Sequence, residues 1–215
     1  MGKKINPKIF RLKNVINWES RWFANEHDYA QKLEQDIKIR EYLKKKLLEA
    51  SVSKIEIERQ ARDLTVMIFS ARPGVIIGKG GLGIEELRKE ISRKFVKNKE
   101  IKVNVNIKEI NKPNLDAELV GQGIKFDIEK RVPFRRAMKQ AIAKVERAGA
   151  LGVKVIMSGR LNGAEIAREE MLVSGKLPLH TIRANIDYAG VKAYTTYGVV
   201  GIKVWIYKGD VFNNK

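Results

Sequence analysis

The stretch "LTVMIFSARPGVIIGKGGLGIEELRKEI" (64–91) admits few folds. It opens with a near-continuous apolar run of strand type, which Arg72-Pro73-Gly74 breaks. Glycines at 78, 80, 81 and 83 follow, and then Ile84, Leu87, Ile91 and Phe95 recur at the spacing of one helix face. Arg88, Lys89, Arg93 and Lys94 project elsewhere on that helix. Its surroundings are periodic too. Residues 28–50 have helical spacing, with Leu33, Ile37, Tyr42 (or Leu43) and Leu47 close to one face. "KIEIERQA" puts Ile55 and Ile57 on one side of a strand, with Lys54, Glu56 and Glu58 on the other. "IKVNVNIKEI" turns Ile101, Val103, Val105 and Ile107 inward, and Lys102, Asn104, Asn106 and Lys108 outward. Residues 28–110 thus read as helix, strand, strand, short helix, glycine loop, helix, strand: one compact α/β unit.

"NKPN" begins a linker over 111–115. Residues 116–130 and 133–147 read as two helices parted at Pro133, which suits a first helical position. The second places Phe134, Met138, Ala141, Ile142 and Val145 on one side; Arg136, Lys139 and Arg147 lie roughly opposite, and Arg135 flanks the apolar face. A strand, "VKVIMSG", a loop into a short helix over "LNGAEIAREE", and two β-rich runs complete a second α+β domain over 116–210. The fold class is α+β throughout.

Charge narrows the function. Lys and Arg total 43 against 25 Asp and Glu, a net +18. Residues 1–110 hold 25 basic and 15 acidic groups and residues 111–215 hold 18 and 10, so both halves are candidates for contact with a polyanion. No acid precedes Glu19, and residues 1–15 read as a basic arm that orders only against a partner, or as a solvated tail. Without cysteine there is no disulfide, zinc knuckle or thiol catalysis, and His27 and His180 stand in no metal-binding spacing. No apolar run reaches the ~18 residues that span a bilayer, and no signal-peptide core is evident, so a cytoplasmic protein without membrane contact is expected.

The glycine loop has three readings. Gly78 to Gly83 fits GxGxxG, but six residues separate the strand from the first glycine, and Glu100 precedes a strand where a dinucleotide-binding acid ends one. A P-loop fails because Gly74 and Gly78 are too close and Gly80 stands where Ser or Thr should hold magnesium. Gly78-Lys79-Gly80-Gly81 fits the GxxG of a KH domain, where a loop between two helices clamps the backbone of single-stranded nucleic acid. A helix–helix turn without a ligand stays open as the alternative.

Longer motifs go further. "RPGVIIGKGG", "PFRRAMKQAIAKVERAGALGVKVIMSGRLNGAEIAR", "GKLPLHTIRANIDYA" and "TTYGVVGIKVWIYKG" resemble the family of bacterial ribosomal protein three of the small subunit, over essentially the whole chain. The resemblance implies a KH domain of type II. It also implies a place in the head of the small subunit, binding to small-subunit rRNA, and small-subunit ribosomal proteins ten and fourteen as neighbours. By the same resemblance, Arg135, Arg136 and Lys139 would face mRNA as it enters its channel and help to unwind it. Where the family has glycines in its arm, this chain has Ile9 and Lys13; Met171 replaces a tryptophan and is expected to keep its packing.

The expected RNA contacts are Lys3, Lys4, Lys8 and Arg11 of the arm, Arg72, Gly78, Lys79, Gly80, Gly81 and Arg88 around the glycine loop, and Arg160, Arg168 and Arg183 beyond it. No catalysis, cofactor or metal is expected. A free KH-type regulator of mRNA is the competing function, and a nucleotide-binding enzyme the third.

Overall fold

A computed structural model describes residues 4–96 and 101–212. In chain order its elements are α1 (Pro7–Phe10), β1 (Ser20–Arg21), α2 (Glu26–Lys46), β2 (Val52–Arg59), β3 (Asp63–Ser70), α3 (Pro73–Ile77), α4 (Leu82–Phe95) and β4 (Lys102–Glu109). Then come α5 (Ala117–Glu129), α6 (Phe134–Arg147), β5 (Gly152–Gly159), β6 (Arg168–Gly175), β7 (Ala184–Thr195) and β8 (Gly198–Asp210). The chain forms two compact units: Trp18–Asn111, and the segment up to Asn17 together with everything from Lys112 onward.

The Trp18–Asn111 unit has a four-stranded sheet in the order β1-β2-β3-β4, with β2 antiparallel and β4 parallel to β3. A parallel partner needs a crossover, and α3, the glycine turn and α4 supply it. Ile55 and Ile57 of β2, Leu64, Val66 and Ile68 of β3 and Val103 of β4 meet Leu87 and Ile91 of α4 in one core. This alternation is the one legible in the sequence.

Helix α2 is turned differently from its apparent face. Ile39 and Leu43 are fully buried, whereas Leu33 and Ile37 are 37% and 47% exposed. The inward position of that half belongs to Asp36, which accepts hydrogen bonds from Ser20 Oγ (3.1 Å), Trp22 Nε1 (2.7 Å), and Arg59 Nε and Nη2 (2.9 and 2.6 Å). A buried carboxylate with this many donors is satisfied, so apolar residues are not required there.

The second unit carries a four-stranded antiparallel sheet in the order β6-β5-β8-β7. Its inner face packs Val153, Val155 and Met157 of β5 and Ile202, Val204 and Ile206 of β8 against Ile124 of α5 and Phe134, Met138, Ala141 and Val145 of α6. The short helix expected over "LNGAEIAREE" is absent. Leu161–Gly163 make one 3-10 turn, and Arg168 already begins β6, because Glu169 to Ser174 pair along β5. Met171, expected to pack, is 52% exposed on that edge strand.

The arm departs most from expectation. It is packed on its own chain and is not a solvated tail: α1, capped by the Asn6 side chain on the Lys8 N–H (2.9 Å), joins the second unit. Arg11 is fully buried there. Its guanidinium donates to the carbonyls of Ala184 (2.6 Å), Pro7 (3.1 Å), Pro178 (3.3 Å), Leu179 (3.0 Å) and Thr181 (2.9 Å). Five N–H donors in a planar fork suit such a ring of acceptors, which a lysine could not serve.

Candidate nucleic-acid interface

The glycine turn is built to stay open. Gly78, Gly80 and Gly81 have φ of 68°, 62° and 82°, values that strain residues with a Cβ. A Cβ added at Gly80 or Gly81 would meet nothing within 4 Å. Gly83 serves a different purpose: a Cβ there would stand 2.5 Å from the Ile76 carbonyl oxygen, so glycine lets α3 and α4 close on each other. The result is a tight helix–turn–helix whose tip is bare backbone. Gly81 caps α4 without any side-chain hydrogen bond, so no side chain competes with an anion near that end. Lys79 is exposed at the tip, and Arg72 and Arg88 are exposed on either side. Val75, Ile77 and Leu82 are also exposed around the turn, at 56%, 37% and 63%.

The cations nominated from sequence fall into distinct groups. Arg11 is withdrawn as an RNA contact, because carbonyls of its own unit surround its guanidinium. Lys3 lies outside the described residues. Lys4 is exposed, and Lys8 bridges to Asp187 at 3.0 Å. Burial alone would raise the Asp187 carboxyl, but Lys8, Lys208 and the Ala117 N–H outweigh it and hold the carboxyl below its ordinary range. Arg160 braces its own loop, donating through Nε to the Ala164 carbonyl (2.8 Å) and through Nη1 to that of Tyr197 (3.2 Å). Arg168 lies 3.9 Å from Glu170, and Arg183 lies 3.3 Å from Asp210, both as exposed pairs. Such pairs are worth about 0–1 kcal/mol, so a phosphate can replace the carboxylate.

On α6, Phe134, Ala137, Met138, Ala141 and Val145 are buried. Arg135, Arg136 and Lys139 are all exposed on the other side. Arg135, with a side chain 70% exposed, reaches Glu170 at 3.3 Å. Arg136 and Lys139 have no carboxylate partner among the described residues. The helix start is fixed by the Asn162 side chain, whose Oδ1 accepts the Phe134 N–H at 3.3 Å.

One feature of this unit escaped the sequence. A cleft of about 390 Å³ opens between the α5–α6 turn, the 160–163 turn and the β7–β8 hairpin. Arg131, Phe134, Arg160, Tyr194 and Tyr197 are among its walls. Residues from such distant segments meet only through the fold, and only the glycine in "RLNG" hinted at close approach: a Cβ at Gly163 would lie 3.1 Å from the Tyr197 ring.

A parallel-crossed sheet with GxxG between α3 and α4 defines an RNA-binding protein of the KH class, type II. Comparison bears out the KH class for the first of the two units and gives the second a family model of its own. The family model described as KH domain matches residues 38–115, and that described as ribosomal protein S3, C-terminal domain, matches residues 124–206. The chain is 56% identical over 210 residues to small ribosomal subunit protein uS3 of Polaromonas naphthalenivorans (strain CJ2), covering 98% of this chain and 70% of that one. To uS3 of Laribacter hongkongensis (strain HLHK9) it is 53% identical over 211 residues, covering 98% and 89%. The chain belongs to the uS3 family. It is a structural, non-enzymatic protein of the small ribosomal subunit that binds rRNA, rather than a free regulator or a nucleotide enzyme.

Proposed function

We propose that this protein, within the small ribosomal subunit, lines the channel by which mRNA enters and helps to open structured mRNA with Arg135, Arg136 and Lys139. The observation that carries the proposal is the division of α6. One side is locked into the core, while the other presents three exposed cations, two without a carboxylate partner among the described residues. A rigid helix holding cations at fixed spacing can bind phosphates of a single strand and favour it over the closed hairpin, with no sequence preference. The rRNA contacts that accompany this role are Lys4, Lys8, Arg72, Lys79, Arg88, Arg160, Arg168 and Arg183, with the bare turn Gly78-Gly80-Gly81 admitting phosphate close to backbone. Ribosomal proteins ten and fourteen are the proposed neighbours. Trp18 and Phe23, 52% and 88% exposed, are aromatic surface that a protein neighbour would bury.

The test is translation by ribosomes carrying Arg135→Ala, Arg136→Ala and Lys139→Ala together. We expect slowed passage through a stable mRNA hairpin and an unchanged rate on unstructured mRNA. Equal rates on both templates, relative to unaltered ribosomes, would overturn the proposal.

A further inference from the structure

The cleft between the α5–α6 turn and the β7–β8 hairpin has no role in what precedes. Three features of it bear on what it can hold: how its walls are fixed, its aromatic surface and its charge.

The first is backbone conformation. Among the described residues, four that are not glycine have positive φ: Lys13, Ser51, Arg131 and Asn162. Arg131 (φ 63°) and Asn162 (φ 54°) both line this cleft. Left-handed backbone at a residue with a Cβ costs about 1 kcal/mol or more, and each of the two has a local cause: Asn162 sits in a one-turn 3-10 helix, where asparagine tolerates it, and Arg131 at the end of α5. The Arg131 N–H donates to the Ile128 carbonyl and the Val132 N–H to the Asp127 carbonyl, each at 2.9 Å, the paired bonds that close the C-terminus of α5, so the left-handed backbone of Arg131 ends that helix and fixes where its side chain leaves the chain.

The second is the aromatic wall. Tyr197 lies against Gly163, where even a methyl group would crowd the ring at 3.1 Å, yet Tyr197 is 56% exposed. A ring seated on backbone and open to solvent is a stacking platform with little rotamer freedom left to lose. Tyr194, 65% exposed, stands on the same hairpin.

The third is charge. Arg131 and Arg160 are the cations of the cleft, and Glu129 is its carboxylate. Glu129 is already engaged, accepting the Tyr194 N–H at 3.2 Å with Lys125 at 3.9 Å. Arg160 donates through Nε and Nη1 to carbonyls of the cleft's own wall and lies with its guanidinium carbon 5.8 Å from the centre of the Tyr197 ring, while Arg131 is exposed.

We infer that this cleft receives one unstacked nucleotide of an RNA strand, its base on Tyr197 and its phosphate toward Arg131 and Arg160. A flat apolar platform beside two guanidinium groups suits a nucleobase and its phosphate, and the volume is of the order of one nucleotide. The inference rests on the reading of α6 as an RNA-facing helix. That helix begins with Phe134 in the cleft wall, so a strand lying along Arg135 and Arg136 would have a base within reach of the opening.

The experiment uses the full-length protein and a single-stranded oligouridine of about ten nucleotides carrying 4-thiouridine. Cross-linked residues are mapped by mass spectrometry, and affinity is measured alongside. We expect a cross-link to Tyr197 or Tyr194. Affinity should fall by about tenfold in Tyr197→Ala and be retained in Tyr197→Phe. Arg131→Gly, which relieves the left-handed strain and keeps the fold, should raise the melting temperature while weakening binding. Cross-links confined to α6 or the glycine turn, with Tyr197→Ala binding as tightly as the unaltered protein, would overturn the inference and leave the α6 proposal standing. Absence of any cross-link or binding would overturn both.

Discussion

The N-terminal arm and the outer side of α6 look alike in sequence, each a short stretch rich in Lys and Arg, yet the fold uses them in opposite ways. In the arm, Arg11 turns inward and gives its guanidinium to five carbonyls, and Lys8 bridges to Asp187. On α6 the apolar residues turn inward and the cations remain outside. The density of basic residues therefore says that a polyanion is bound somewhere, but not which cations bind it. What separates the two is local order. A helix with a continuous apolar face must point its charges outward, whereas a four-residue helix in an irregular arm can turn a single long side chain into a ring of carbonyls.

The strongest way to break this comparison is Arg11→Met. If the arm is a structural clasp, the second unit should lose about 3–5 kcal/mol, since each buried carbonyl deprived of its donor costs ~1 kcal/mol or more. Thermal unfolding measures it, and Arg11→Lys should rescue little, because one ammonium cannot span the same acceptors. RNA affinity measured well below the melting temperature should hardly move. A drop in affinity without a drop in stability would return Arg11 to the RNA contacts.

Asp187→Asn sharpens the same point through pH. The Asp187 carboxyl lies below its ordinary range in the folded protein, so its contribution is complete above the unfolded carboxylate value near 4 and fades as pH falls toward the folded one. The substitution should cost about 1–2 kcal/mol at pH 7. Denaturant titrations should show that cost shrinking below about pH 4.

A smaller effect is expected at Lys13. Its φ of 70° suits glycine, which has no Cβ to strain there. Lys13→Gly should therefore stabilise by about 0.5–1 kcal/mol. The smallest change in stability belongs to α6: Arg136→Ala with Lys139→Ala should stay within about 0.5 kcal/mol in thermal unfolding. The same pair should lower the salt slope of single-strand binding by about 1.4, or ~0.7 for each phosphate contact removed.

The regular elements were legible because their periodicity is strict. The alternation around Ile55, Val66 and Val103 and the α6 face from Phe134 to Val145 lie where the spacing puts them, in the cores of their units. Polar substitution for apolar burial was not legible. Asp36 occupies an inward position of α2 because Arg59, Trp22 and Ser20 supply donors from elsewhere in the chain, and no local pattern records that. The stretch after Asn162 reads as a helix by composition but pairs with β5, since edge pairing along Val153 to Gly159 outweighs a weak helical preference. At the candidate interface, the glycine turn and the α6 cations are visible because glycine and charge pattern are sequence properties. The Tyr197 cleft is not, because its walls converge from segments separated by dozens of residues.

The Arg11 ring has a consequence for biosynthesis. Its carbonyl acceptors at Pro178 and Ala184 lie 167 and 173 residues downstream, so the arm leaves the exit tunnel long before they are made. The clasp therefore closes among the last events of maturation, and a nascent chain stalled short of β7 carries its N-terminus unfastened.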